Sequence, residues 1–270
     1  MKAALRAARF AGSWYPGTPQ ALREALRAAA PQDGPPPAPA LALVAPHAGY
    51  RYSLSVAAAT YARVVVPPRV VVLCPNHTVP PPIVSVWSRG AWETPLGRVP
   101  VDEELAARIV AECPGVEEET GAHLREHAVE LQLPLLQVRQ PDLAIVPIVV
   151  AASDPGALEA LGRGLARAIG ALHGALLVAS SDMTHHEPAR EAELRDRRAL
   201  RHVEALDPAG LLETCRRERI SMCGVRPTAA ALWAALALGA RRAELVSYGH
   251  SGLVSGDHES VVGYAGVVIS

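Results

Sequence analysis

Apolar residues follow two rhythms along this chain. Short uninterrupted runs alternate with longer stretches in which apolar residues recur every three or four positions. The runs Leu41–Ala45, Arg69–Cys74, Leu143–Val150, Ala175–Ala179 and Val261–Ile269 predict buried strands. The helical spacing predicts helices over Pro19–Ala30, Ser53–Val65, Val101–Glu112, Glu126–Gln137, Leu158–Leu172, Leu194–Glu204 and Thr228–Leu238. Ala11–Pro16 reads as a loop, and Pro31–Pro39 as a Pro-rich surface loop with too little chain ahead of it to bound a domain. Strands that are apolar on both faces and alternate with helices predict one α/β domain over residues 1–270. Its central sheet is expected to be mostly parallel or mixed, with helices on both faces.

Composition narrows the function classes. Half of the 270 residues are hydrophobic, enough for a sizeable core, and the net charge of -1 offers no basic field for nucleic acid. Lys2 is the only lysine, which excludes an internal Schiff-base lysine and a P-loop lysine. The four cysteines, Cys74, Cys113, Cys215 and Cys223, form no C-x-x-C pair. The N-terminal segment lacks a signal-peptide core, and no apolar run approaches the roughly 20 residues that span a bilayer. These features predict a cytoplasmic protein with free thiols and neither a membrane nor a nucleic-acid partner.

Ligands in open α/β sheets bind beyond the carboxyl ends of strands. Three predicted strands deliver a histidine there: Pro46-His47, Pro75-Asn76-His77, and Ser180-Ser-Asp182 followed by His185 and His186. A proline fixes the backbone just ahead of each of the first two. Imidazoles gathered in this way suit metal ligation or acid/base work, although a single such histidine reads equally well as a loop cap. His127 and Glu130, three apart in a predicted helix, would share one face, either behind a ligand to orient it or as a solvated charged face. Cys223 precedes a predicted helix N-terminus, where a thiol pKa is lowered, but position alone favours a small buried apolar residue. His123-Leu-Arg-Glu-His127 matches an inverted zinc-protease pattern of low specificity, and His123 reads as an incidental surface residue. Gly249-His-Ser-Gly252 lacks the final glycine of a nucleophile elbow.

Taken in order, Ala11-Gly-Ser-Trp-Tyr-Pro16, Ala45-Pro-His-Ala-Gly-Tyr50, Pro75-Asn-His77, Glu126-His-Ala-Val-Glu-Leu-Gln-Leu-Pro134, Ser180-Ser-Asp182 with His185, Cys223-Gly224 with Pro227, and Gly263-Tyr-Ala-Gly266 resemble the Memo family. In bacteria and archaea that family is also called AmmeMemoRadiSam system protein B. The resemblance spans nearly the whole chain and implies a fold similar to class III extradiol dioxygenases. It implies His47, His77 and Cys223 as metal ligands, and His185 with Asp182 as a catalytic acid/base pair in the same pocket. His127, Glu130, Tyr50, Asn76 and Trp14 are implied to line or support that pocket. The implied metal is divalent: Fe(II) foremost, with Cu or Zn suiting a His₂Cys set. Function divides between a dioxygenase-like redox enzyme, a non-catalytic metal- or peptide-binding partner of radical SAM and AMMECR-type proteins, and a metallohydrolase using His127 and Glu130.

Overall fold

Strands without a polar face must be covered on both sides. The computed structural model, which describes residues 4–78, 84–172 and 174–270, provides that cover. In chain order the strands are β1 (Leu5–Arg6), β2 (Ala42–Ala45), β3 (Arg69–Cys74), β4 (Val84–Val86), β5 (Ala91–Thr94), β6 (Gly97–Pro100), β7 (Val116–Glu118), β8 (Ala144–Val150), β9 (Leu176–Ser180), β10 (His185–Glu187), β11 (Ala243–His250) and β12 (Val261–Ile269). The helices are α1 (Pro19–Ala28), α2 (Tyr50–Tyr61), α3 (Glu103–Glu112), α4 (Gly121–Leu124), α5 (Leu133–Gln137), α6 (Pro155–Gly170), α7 (Ala189–Glu204), α8 (Pro208–Glu218), α9 (Val225–Ala237) and α10 (Gly252–Ser255).

A nine-stranded sheet runs β10–β12–β2–β9–β3–β8–β4–β7, with β11 also paired to β12. Its centre, β2–β9–β3–β8, is parallel, and antiparallel pairs flank it at β12 and β4. The sheet is therefore mixed around a parallel core, and every residue of β2 and β9 is buried. Helix α9 lies across β2, β3, β8 and β9 and packs on α6 and α8, while α2 packs on β2, β11, β12 and α5.

Several elements escape the apolar pattern. β4 and β7 are three residues each, too short to show a period. Most of β11 is only partly buried, so its alternation is weak. The helix expected over Glu126–Gln137 is broken. A 3-10 turn covers Glu130–Gln132, and α5 begins only at Leu133. Two residues explain the break: the Glu126 carboxylate takes the Ala128 N–H at 2.9 Å, and Pro134 has no N–H to continue a longer helix. His127 and Glu130 therefore do not share a helix face.

A small sheet, β1–β5–β6, carries the N-terminal strand. From it Arg6 is driven fully into the interior. Its guanidinium pairs with Glu130, donates to the carbonyls of His123 (2.8 Å) and Glu126 (2.6 Å), and stacks over Trp92 at 4.3 Å. Glu130 also accepts from Tyr15 Oη at 2.8 Å and the Phe10 N–H at 2.9 Å. Removing one member of such a buried pair leaves an uncompensated charge, so Glu130→Gln should cost about 3–5 kcal/mol. The denaturant midpoint will measure this, and it should fall without loss of cooperativity.

His123 lies on no surface: it is completely buried between Trp87 and Trp92, its Nε2 bonded to Ser85 Oγ at 3.0 Å. Burial lowers its pKa to about 4, against the partial opposition of Glu119. The unfolded chain takes up a proton near pH 6.5 that the folded protein refuses until about pH 4. The stability contribution is thus complete above pH 6.5 and declines as pH falls through this window, by up to roughly 3 kcal/mol. Unfolding free energies measured between pH 4 and 7 should slope less steeply in His123→Gln than in the wild type.

Candidate metal centre

The parallel core sets three chain exits side by side. Ala45 at the end of β2 pairs with Ser180 at the end of β9, and Leu73 of β3 pairs with Ala179. Two or three residues past those ends stand His47, Asp182 and His77. Asp182 Oδ1 fastens two of the exits together by accepting the N–H groups of His47 (2.8 Å) and Ala48 (3.2 Å). His127 reaches the same place from the irregular segment after α4. One ligand atom from each of His47, His77 and His127 lies within 4.8 Å of the others. The rings stack His127 on His77 at 4.6 Å and set His47 edge-on to both. Cys223, just ahead of α9, places Sγ 3.2 Å from His47 Nε2.

Hydrogen-bond partners assign the imidazole tautomers. His77 Nδ1 lies 3.0 Å from a Glu126 carboxylate oxygen, which can only accept, so Nδ1 carries the hydrogen. His47 Nδ1 lies 2.9 Å from Ser180 Oγ. That hydroxyl gives its one hydrogen to the Ala128 carbonyl at 2.8 Å and accepts from Gln132 Nε2 at 2.8 Å, so it must accept from His47 as well. Tyr61 Oη donates to Gln132 Oε1 at 2.9 Å and fixes which way that amide faces. In their neutral forms both rings thus keep Nε2 unprotonated and able to bind a metal. His185 follows the same rule: Nδ1 donates to the Ser221 carbonyl at 3.0 Å, leaving Nε2 as the basic nitrogen.

Electrostatics keep two of the three imidazoles neutral. Burial, reinforced by the charge of His77, holds the His47 imidazole at a pKa of about 3, and burial does the same for His127. At His77 burial pulls downward, but the hydrogen bond and charge of Glu126 outweigh it and the net shift is upward. Glu126 is the reciprocal case: burial raises it, yet His77 and His127 hold it at about 2. The Cys223 thiol moves opposite to the helix-terminus expectation, because burial first and Asp182 second push it well up. Two neutral imidazoles, a third that must release a proton to a cation, and a thiol that ionises only beside one form a donor set that a soft or borderline divalent ion fits.

These groups face a cavity of about 770 Å³, with Trp14, Tyr52 and Tyr264 among its walls. His47, His77, His127, Asp182 and His185 all line it. Trp14 stands at the rim with its ring 4.3 Å from His127. Tyr50 sits below, its hydroxyl tied to the Leu131 carbonyl at 2.8 Å. Asn76 turns its Oδ1 to the Thr78 N–H at 2.8 Å. Glu130 is elsewhere, locked into the Arg6 cluster. The carboxylate behind an imidazole is Glu126, which the sequence reading overlooked although it adjoins His127. Asp182 does not orient His185; the Ser221 carbonyl does, while Asp182 holds the backbone at His47. The His123 and His127 rings occupy different environments, so the inverted zinc-protease pattern forms no site.

A mixed α/β sheet with histidines converging beyond its parallel strand ends defines an α/β protein with a site suited to a metal ion. The family model described as Memo-like protein matches residues 6–268. The chain belongs to the Memo family. It is 39% identical to a MEMO1 family protein of Methanopyrus kandleri, over 97% of this chain and 98% of that one. It is 38% identical to a MEMO1 family protein of Thermotoga maritima, over 85% of this chain and 82% of that one. The crystal structure of an uncharacterized protein from Escherichia coli K12 shares the fold at 15% identity, with a TM-score of 0.52, covering 83% of this chain and 98% of that one.

The tautomers are directly measurable. Nitrogen-15 NMR of the metal-free protein at alkaline pH, where the imidazoles are neutral, should show His47, His77 and His185 as Nδ1–H forms, and Ser180→Ala should disturb His47 alone of the three.

Proposed function

We propose that this chain holds one divalent metal ion at His47, His77 and Cys223 and serves as a redox protein related to extradiol dioxygenases. Fe(II) is the favoured metal, with Cu and Zn as alternatives. The observation that supports the reading is the pair of Nδ1–H tautomers, which leaves Nε2 of His47 and His77 for a cation within the His47, His77 and His127 group, with the Cys223 thiol 3.2 Å from His47 Nε2. Bound there, iron or copper supplies Lewis acidity and one-electron chemistry. The remaining steps belong to the protein. His185, on the cavity wall with Nδ1 committed to the Ser221 carbonyl, takes a proton at Nε2 from a bound substrate and returns it to product. Asp182 keeps the His47 backbone in register, and Trp14 shields one side of the cavity. His127 either completes the ligand set in place of Cys223 or lies against the substrate.

One feature favours a binding role as well. Leu253 is 67% and Val254 46% exposed on α10, beside cavity-lining Ser251 and Ser255, and Trp14 is 38% exposed on the rim. Such an apolar rim suits a docked peptide or a partner protein, with radical SAM and AMMECR-type proteins as the candidates the family's alternative name suggests. A hydrolase built on Glu130 has no support, because Arg6, Tyr15 and backbone N–H groups occupy its oxygens. Four free cysteines agree with a reducing cytoplasmic setting.

Metal analysis after purification without oxygen tests the assignment. One ion per chain is expected, with none retained in the His47→Ala, His77→Ala double variant; full occupancy in that variant would overturn it. Glu126→Gln should weaken affinity by about 10- to 100-fold, since a neutral amide cannot orient the His77 ring as a carboxylate does. Cobalt(II) loading decides the third ligand. A sulfur-to-cobalt charge-transfer band that survives His127→Ala and disappears in Cys223→Ser assigns Cys223; the absence of that band assigns His127.

A further inference from the structure

The cavity carries one charged group that the metal reading leaves without a task. Arg51, in the first turn of α2, lines the same cavity as the histidines. Among the described residues its guanidinium has no ion pair. Its contact is the ring of Tyr52, with Cζ 5.5 Å from the ring centroid. Some exposed arginines are matched, as Arg163 is to Glu159 and Arg167 to Glu112, while Arg51 combines an unpaired guanidinium with a place on the cavity wall. The acid on the cavity wall, Asp182, already receives the N–H groups of His47 and Ala48. Ser255, on the same wall, accepts the Asp257 N–H at 3.2 Å and keeps its own hydrogen free to donate. The same cavity is lined by three aromatic side chains, Trp14, Tyr52 and Tyr264.

We propose that Arg51 is the specificity-determining residue of the cavity and that the substrate is a small aromatic monocarboxylate. Its carboxylate meets the Arg51 guanidinium, its ring lies among Trp14, Tyr52 and Tyr264, and its far end points at His47, His77 and His127. The inference rests on the cavity being the substrate site, as read above, and adds the class of molecule that fills it. Guanidinium matches a carboxylate with two parallel hydrogen bonds, and its stacking on an aromatic face orients it at small entropic cost. A lone arginine, with no second basic chain on the wall apart from histidines, suits a monoanion better than a phosphate dianion. A cavity of about 770 Å³ is in the range that encloses a small molecule.

The test compares 4-hydroxybenzoate with its uncharged isostere 4-hydroxybenzamide, by calorimetric titration of metal-free and zinc-loaded protein. The wild type should prefer the acid by about tenfold, and rising salt should erode that preference. Arg51→Gln should bring the two ligands within about twofold, while Arg51→Lys keeps most of the preference. Arg51 is exposed, so both variants should unfold at the wild-type temperature, which a thermal melt verifies. A preference unchanged in Arg51→Gln, a wild type that does not discriminate, or no binding of either compound overturns the proposal. Metal content is measured separately. A protein that binds no metal but shows the Arg51-dependent preference refutes the metal assignment and leaves this inference standing.

Discussion

The site depends on where two protons sit. If the hydrogens of His47 and His77 were on Nε2, neither ring could offer that nitrogen to a metal ion beside His127 and Cys223. Each is held on Nδ1 by an acceptor that has no alternative: a carboxylate for His77, and for His47 a hydroxyl whose own hydrogen is already committed. The second case needs a relay of buried groups, Tyr61 to Gln132 to Ser180, and these come from α2, the 3-10 turn and β9. The core thus sets tautomers as well as positions. That explains why polar residues as costly to bury as Gln132 and Ser180 are completely enclosed.

A second buried system supports the first from behind. Glu126 orients His77 through its side chain, while its own carbonyl receives Arg6, which is paired in turn with Glu130. The N-terminal strand is thereby tied to the segment carrying Glu126 and His127. Arg6 and Glu130 act on that segment's path and stay out of the cavity. This division of labour accounts for two glutamates four residues apart with different work.

Much of this was legible in the sequence, and the remainder was hidden for identifiable reasons. Four of the five buried strands announce themselves because the parallel core carries no polar face; the fifth, β12, pairs antiparallel yet is almost wholly buried. His47 and His77 stand out because each follows such a strand and a proline. Glu126 stayed hidden because the surrounding pattern reads as a continuous helix, which its capture of the Ala128 N–H, together with Pro134, breaks. His123 read as a surface residue because it lies outside the family's motifs, yet Ser85 of β4 and the Trp87–Trp92 pair enclose it. Such tertiary cover leaves no periodic trace. Cys223 was placed by resemblance alone, and its proximity to His47 follows from α9 crossing the parallel core.

The order of strands also governs when the site comes into being. β2, β9 and β3 are neighbours in space, but β9 follows β2 by more than a hundred residues of chain, and Cys223 comes later still. No local segment contains a working ligand set. The donors meet only after the long-range parallel pairing is complete, a slow event for chains with distant contacts. A metal ion that binds the finished arrangement and not its precursors then stabilises the native state by mass action. Occupancy of the centre would therefore act as a latch on the last part of the molecule to assemble, and the chain's lifetime would depend on metal supply.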